Sequence, residues 1–245
     1  MPMNRLLNLL QANAERGQKI TVKAEADSTH IYLYDAIGGW WGVEAKDFIR
    51  TLNEIDTANI VLHINSPGGD VFDARAIATA IKQHSATITA QIDGLCASAA
   101  TYVSAACASV TMADGGFYMI HEGWTMALGN KRDMSKTADL LQKVDDSILN
   151  DYEKKTGQSR EQLSAWMEAE TWFSASEAKE HGFIDAIIED DQAASNSGRW
   201  NLSAYANAPE MKVTDNKTSE ESEKEKQHMS RIRRQAEALA LAMPG

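Results

Sequence analysis

The stretch Asn59–His84, NIVLHINSPGGDVFDARAIATAIKQH, changes its hydrophobic period half-way along. NIVLHIN is a short apolar run of strand character. SPGGD then brings together the residues that turn a chain most easily. From Val71 onward the apolar residues Val71, Ala74, Ile77, Ala78 and Ile81 recur at helical spacing. One strand, one tight turn and one amphipathic helix in immediate succession form a β–α unit, and the chain on both sides repeats the theme. Upstream, KITVKAEADSTHIYLYDAI reads as two strands joined by a turn at Ala26-Asp27-Ser28, and VEAKDFIRTLNEI as a helix aligning Phe48, Leu52 and Ile55. Downstream, ATITAQID reads as a strand, DGLCASAATY as a turn entering a helix, and ASVTMAD and FYMIHE as further strands. Such alternation predicts an α/β fold with parallel pairing and right-handed crossovers.

Beyond this core a long helix is predicted over Asp133–Lys155, with Met134, Ala138, Leu141, Ile148 and Tyr152 at helical spacing, ended at Thr156-Gly157-Gln158. Ser159-x-x-Gln162 and Ser174-x-x-Glu177 have the form of capping boxes, Gly182 is placed as a helix stop, and FIDAII closes the domain as a strand. The chain divides accordingly. Residues 1–16 read as an amphipathic helix with Leu6, Leu7 and Leu10 on one face rather than a signal peptide, and 17–190 as the α/β domain. Residues 191–228 read as a polar, disordered linker, and 229–245 as a second amphipathic helix with Met229, Ile232, Ala236, Leu239 and Met243 on one side. A helix of that length has no core of its own and needs a surface to dock on.

Composition narrows the function. A net charge of −11 opposes general nucleic-acid binding, which requires a basic face. Two cysteines, Cys96 and Cys107, make no disulfide framework, and no apolar run is long enough for a bilayer. These features point to a cytoplasmic protein without a membrane partner.

Three places carry candidate chemistry. In the turn Ser66–Asp70, paired glycines let a ligand approach the main chain, and amides beside a helix start can face negative charge. Read alone, it is also an ordinary strand-to-helix turn. Ser98 lies among small residues after a predicted strand, where its hydroxyl is open and the Ala99 N–H is near, although the G-x-S-x-G pattern is not matched. Close helix packing explains the same small residues. His121 follows an apolar strand and suits a base, a ligand or a core position. The remaining histidines show no metal-ligand spacing with it, and both cysteines fall in apparently helical, inert contexts, so no metal is expected. Together the three gain meaning. A serine hydroxyl needs a base, an imidazole suits that task, and a carboxylate holds the imidazole in the right tautomer. Carboxylates follow at Glu168 and Glu170.

INSPGGDV, GLCASAA, MIHE and ETWFSASEAKEHGFID, in this order, resemble the Clp-type (ClpP-like) serine proteases over roughly 31–188. The flanking segments look more like the phage and prophage head-maturation branch. The resemblance implies a ClpP/crotonase-like superhelix of repeated β-β-α units with a projecting helical handle, here the long helix. It implies Ser98 as nucleophile, His121 as general base, Glu170 as third member where the housekeeping family has aspartate, and Gly68, Gly69 and Ala99 at the oxyanion hole. Glu168 and Asp185 remain alternatives for the third member, whereas Glu122, next to the histidine, would point to the opposite face of an extended strand. It further implies a serine endopeptidase without cofactor, acting on peptide or protein substrates. Such subunits form homo-oligomeric rings or stacked rings, here with a phage scaffold, portal or capsid protein as partner and a separate ATP-driven unfoldase. A crotonase-type acyl-CoA enzyme and a catalytically degenerate structural ring subunit are the competing readings. A membrane protease with a Ser-Lys dyad is a third, without a matching lysine motif.

Overall fold

A computed structural model describes residues 13, 18–25, 27–39, 42–125, 127–189 and 200–209, all within one compact unit, Met1–Val213. The two terminal helices expected from the sequence lie outside the described residues, Asn13 apart. Eight strands form one sheet: β1 (Gln18–Ala24), β2 (Thr29–Tyr34), β3 (Asn59–Ser66), β4 (Thr87–Ala97), β5 (Val110–Ala113), β6 (Phe117–Ile120), β7 (Thr171–Ser174) and β8 (Ala186–Ile188). The helices are α1 (Ala45–Asn53), α2 (Val71–Gln83), α3 (Ala99–Ala105), α4 (Lys131–Thr156), α5 (Arg160–Glu168) and α6 (Ala175–Glu180).

The sheet runs β1-β2-β3-β4-β5-β8, with β1 antiparallel to β2 and every other neighbour in that path parallel. The parallel pairing expected from strand–helix alternation is therefore present. β4 is the branch point. Its first half, Ala90–Ile92, pairs with β5, and its second half, Leu95–Ala97, pairs with β6. β6 in turn pairs antiparallel with β7. Two differences from the sequence reading follow. β4 continues through DGLCA, where a turn and helix were expected, so Cys96 sits on a strand. β7 was not anticipated, because four residues flanked by helical patterns leave no period to read.

Alternate faces of β4 enter different cores. Cys96 points into the main cluster, with Ile31, Leu62, Ile92, Phe48 and Tyr118. Leu95 and Ala97 face the opposite way, onto Met119, Trp200, Leu202, Ala204 and Tyr205. Residues 200–209, inside the stretch expected to be a polar linker, thus belong to a second apolar cluster. A buried polar chain also crosses β2–β4. Ser28 Oγ meets His30 Nε2 at 3.1 Å, and His30 Nδ1 meets His63 Nε2 at 2.9 Å. His63 Nδ1 then meets Asp93 Oδ2 at 2.7 Å.

Local chemistry places the helices. Asp70 accepts from Phe72 N and Asp73 N and so caps α2. The Ser174/Glu177 capping box forms as expected, and Ser159 caps α5 by accepting from Gln162 N. α4 has 26 residues, about 39 Å at 1.5 Å per residue. Only Ile148, Leu149 and Tyr152, towards its C-terminal end, are buried, and Met134 and Leu140 are exposed.

Candidate active site

Four strand ends meet at one edge of the branched sheet. β4 stops at Ala97, and the Ser98 N–H donates to Met119 O at 2.8 Å, continuing the β4–β6 ladder by one step. There the backbone turns sharply: Ser98 has φ 53° and ψ −124°, a region L-residues rarely adopt, before α3 begins. This is a strained strand-to-helix elbow of the kind that can present a nucleophile above a sheet, made without the G-x-S-x-G pattern. The small neighbours have a steric cause. A Cβ on Gly68 would lie 2.5 Å from Ala97 O and 2.7 Å from Ser98 Cβ. Close packing and an open hydroxyl thus coexist at the same place.

His121 follows the last residue of β6, and its Nε2 lies 2.7 Å from Ser98 Oγ. Trp124 Nε1 donates to the same nitrogen at 3.2 Å. An indole N–H can only donate, so Nε2 is an acceptor here and the Ser98 hydroxyl donates to it. That is the neutral tautomer able to take a proton from serine.

The β6–β7 register brings in the third group. The antiparallel ladder ends with Ile120 opposite Thr171, and His121 and Glu170 are the next residues along the two chains. Both line a cavity of about 210 Å³ with Glu168 and Tyr205. Glu170 has φ 50°, and its Oε1 accepts from Asn207 N at 2.7 Å and Trp172 Nε1 at 3.5 Å. Of the alternatives, Asp185 is tied to Val110 N and to Lys155 Nζ, at 2.7 Å and 3.0 Å. Glu122 and Glu168 are exposed beside the cavity.

The glycine turn is held from two directions. Ile37 N donates to Gly68 O, and Asp70 N donates to Ile37 O, at 2.9 Å and 2.8 Å. Gly69 has φ 149°, and a Cβ there would lie 2.0 Å from Ile37 O, so only glycine fits. The Gly68 N–H is turned to Ser66 Oγ at 3.2 Å. Ala99, in the first turn of α3, offers an N–H without an intrahelical acceptor. On the other side of Ser98 a second cavity of about 150 Å³ is lined by Val71, Phe72, Trp124, Leu140, Leu141 and Tyr205, among others.

The Clp protease family model matches residues 14–191, enclosing this whole constellation apart from the residues after 200. The chain belongs to the Clp protease family. Among its relatives is the ATP-dependent Clp protease proteolytic subunit of Streptococcus pneumoniae (strain Hungary19A-6), 32% identical over 136 residues. That match covers 54% of this chain and 69% of the relative. Solved structures agree. ClpP1 from Listeria monocytogenes is 26% identical with a TM-score of 0.56, covering 66% of this chain and 92% of that one. A point mutant of the same protein gives a TM-score of 0.59 at 26% identity, with coverages of 67% and 93%. The ClpP-like fold expected from the motifs is the fold present, and the family's chemistry is peptide hydrolysis.

The sequence did not disclose several neighbours of these residues: Trp124 on His121, Trp172 and Asn207 on Glu170, and Tyr205 in the same cavity. For Trp200–Tyr205 a signal exists, since Trp200, Leu202 and Ala204 alternate as in a half-buried extended segment. Their polar flanks hide it. Cys96 and Cys107 are buried thiols whose pKa is pushed up to about 12 by desolvation, which makes neither a nucleophile. Among the described residues, no group of three His, Cys, Asp or Glu side chains is arranged to hold a metal ion. No described helix is long and apolar enough to cross a membrane.

Proposed function

We propose that this chain is a serine endopeptidase in which Ser98, His121 and Glu170 act as nucleophile, base and orienting acid. The observation that carries the reading is the 2.7 Å contact from Ser98 Oγ to an accepting His121 Nε2. Ser98 Oγ attacks the scissile carbonyl carbon while its proton passes to Nε2, which Trp124 then ceases to engage. The Gly69 and Ala99 N–H groups donate to the oxyanion. The Gly68 N–H, the third candidate donor, lies 3.2 Å from Ser66 Oγ. Collapse of the adduct breaks the C–N bond, and the imidazolium gives its proton to the leaving amine. Water, activated by the same imidazole, then releases the acyl group and restores Ser98. Glu170 supplies the negative charge opposite the imidazole, fixed by Asn207 N–H.

Substrates are unfolded polypeptide segments, bound extended along the groove beside Val71 and Phe72. The relatives named as ATP-dependent Clp protease proteolytic subunits support an assembly of several copies and a separate ATP-driven unfoldase. The projecting, half-unburied α4 suits a contact between copies. The flanking segments support a phage head-maturation role on scaffold, portal or capsid protein, in the host cytoplasm or the assembling head. A crotonase-type reaction is not favoured, since it has no use for a serine bonded to an accepting histidine.

The test compares the chain with Ser98→Ala on a fluorogenic peptide and on a fluorophosphonate label. Loss of labelling and a fall in kcat of at least about 10,000-fold are expected. Equal cleavage by both proteins would refute the assignment.

A further inference from the structure

The segment 200–208 crosses the site, and its contacts are specific. The buried Trp200 donates from Nε1 to Asn65 Oδ1 at 2.9 Å. Asn201 is held through its main chain by one side chain: its N–H donates to Asn13 Oδ1 at 2.7 Å, and its carbonyl accepts from Asn13 Nδ2 at 2.9 Å. Tyr205 is buried, its hydroxyl donates to Pro67 O at 2.6 Å, and it lines the same cavity as Ser98. Its ring stands edge-on to His121, with centroids 5.6 Å apart. Two residues on, Asn207 N donates to Glu170 Oε1 at 2.7 Å, and Asn207 Nδ2 donates to Ala169 O at 2.8 Å. The segment therefore contacts His121 and Glu170 and lines the cavity at Ser98.

We propose that 200–208 is a tethered occupant of the substrate site, so that polypeptide reaches Ser98 only when Tyr205 leaves. This rests on reading Ser98 as the nucleophile. Acylation needs a carbonyl carbon against Ser98 Oγ, and Tyr205, edge-on to His121 and lining the cavity at Ser98, stands where that group must enter. The segment is not held as a substrate. Tyr205 N–H donates to Leu202 O at 2.9 Å, closing a turn, whereas a scissile segment lies extended. It blocks with a side chain and keeps its own carbonyls folded away. The two ends differ. Trp200 and Asn201 anchor the segment through burial and paired hydrogen bonds, while further on the exposed Ser203, Ala206 and Asn207 flank the buried Ala204 and Tyr205. Release therefore pivots at 201–202 and frees 203–208. The occupant also indicates what replaces it: an aromatic or large apolar side chain carried on a backbone with a free N–H for Glu170. The adjoining apolar cavity at Val71, Phe72 and Leu141 takes the residues next to it.

The experiment is binding, which does not depend on turnover. A fluorescein-labelled peptide of Phe, Leu and Ala with Gly-Ser ends is titrated into Ser98→Ala and into Ser98→Ala/Tyr205→Ala, read by anisotropy. If the segment is seated nine-tenths of the time, releasing it tightens apparent binding about tenfold. Asn13→Ala in the Ser98→Ala background loosens the anchor from outside the pocket. It replaces Tyr205→Ala should circular dichroism show that variant unfolded, and tightening is again the expected result. Unchanged affinity overturns the proposal. So does weaker affinity, which would make Tyr205 a wall of the pocket instead of its occupant. Turnover decides separately: equal cleavage by the native chain and Ser98→Ala removes the nucleophile reading, and the binding comparison still decides whether the site is occupied.

Discussion

At Ser98 the chemistry hangs on one lone pair, that of His121 Nε2, which both Ser98 Oγ and Trp124 Nε1 approach. An imidazole that accepts at Nε2 carries its proton at Nδ1, and a carboxylate opposite stabilises that tautomer and the imidazolium that follows. Glu170→Gln keeps an oxygen for Asn207 N–H and removes only the charge. Its kcat is expected to fall about 1,000- to 10,000-fold, with fold and thermal midpoint nearly unchanged. A kcat within threefold of the native value would transfer the role to Glu168 or Glu122. Ser98 and His121 were legible because a hydroxyl among small residues and a histidine after an apolar strand occur in order with a glycine turn. Trp124 and Asn207 were not, because neither residue type announces a partner until the chain has folded back.

At the scale of elements, β4 divides between β5 and β6, and the opening so made is where the site lies. The glycine turn at its rim is fixed by sterics. Gly69→Ala sets a Cβ against Ile37 O at a φ of 149°, so the turn must shift. A loss of about 2–3 kcal/mol in urea unfolding is expected, with kcat falling alongside. On α4, Asp145 accepts the Gly123 N–H at 2.6 Å, and desolvation raises its carboxyl pKa above the ordinary value. Burial thus disfavours its charged form. The folded chain holds this proton to higher pH than the unfolded chain, so stability falls as pH rises from the unfolded value through the folded one. Asp145→Asn is therefore expected to melt higher than the native chain at pH 7, and the gap should close below about pH 4. A gap independent of pH would show that the change acts through packing. The capping boxes and the α2 stripe were readable from sequence because they depend on residues within one turn. β7 was not, because a four-residue strand is defined by its partner.

For the whole molecule, α4 is the outlier. Its first half leaves Met134 38% and Leu140 53% exposed, and Leu128, just ahead of it, is 99% exposed. Exposed apolar side chains on and just ahead of this helix make it the candidate for a contact between copies. Leu140→Asp is expected to shift sedimentation velocity from a multi-subunit species to smaller ones without changing the far-ultraviolet circular dichroism. Unaltered sedimentation of a native oligomer would place the subunit contact elsewhere. Residues 200–208 join the domain at the same scale. Trp200 is 1% exposed although its stretch is polar on average.

The sequence by itself determined the family, most of the order of elements and two of the catalytic candidates, because periodicity, caps and glycine turns are set by residues near one another in the chain. The tertiary structure alone decided that β4 branches, that Glu170 rather than Asp185 shares a cavity with His121, and that Tyr205 lines that cavity too. Each of these depends on strand register or on burial between distant segments, and a linear pattern carries no record of what lies across from it.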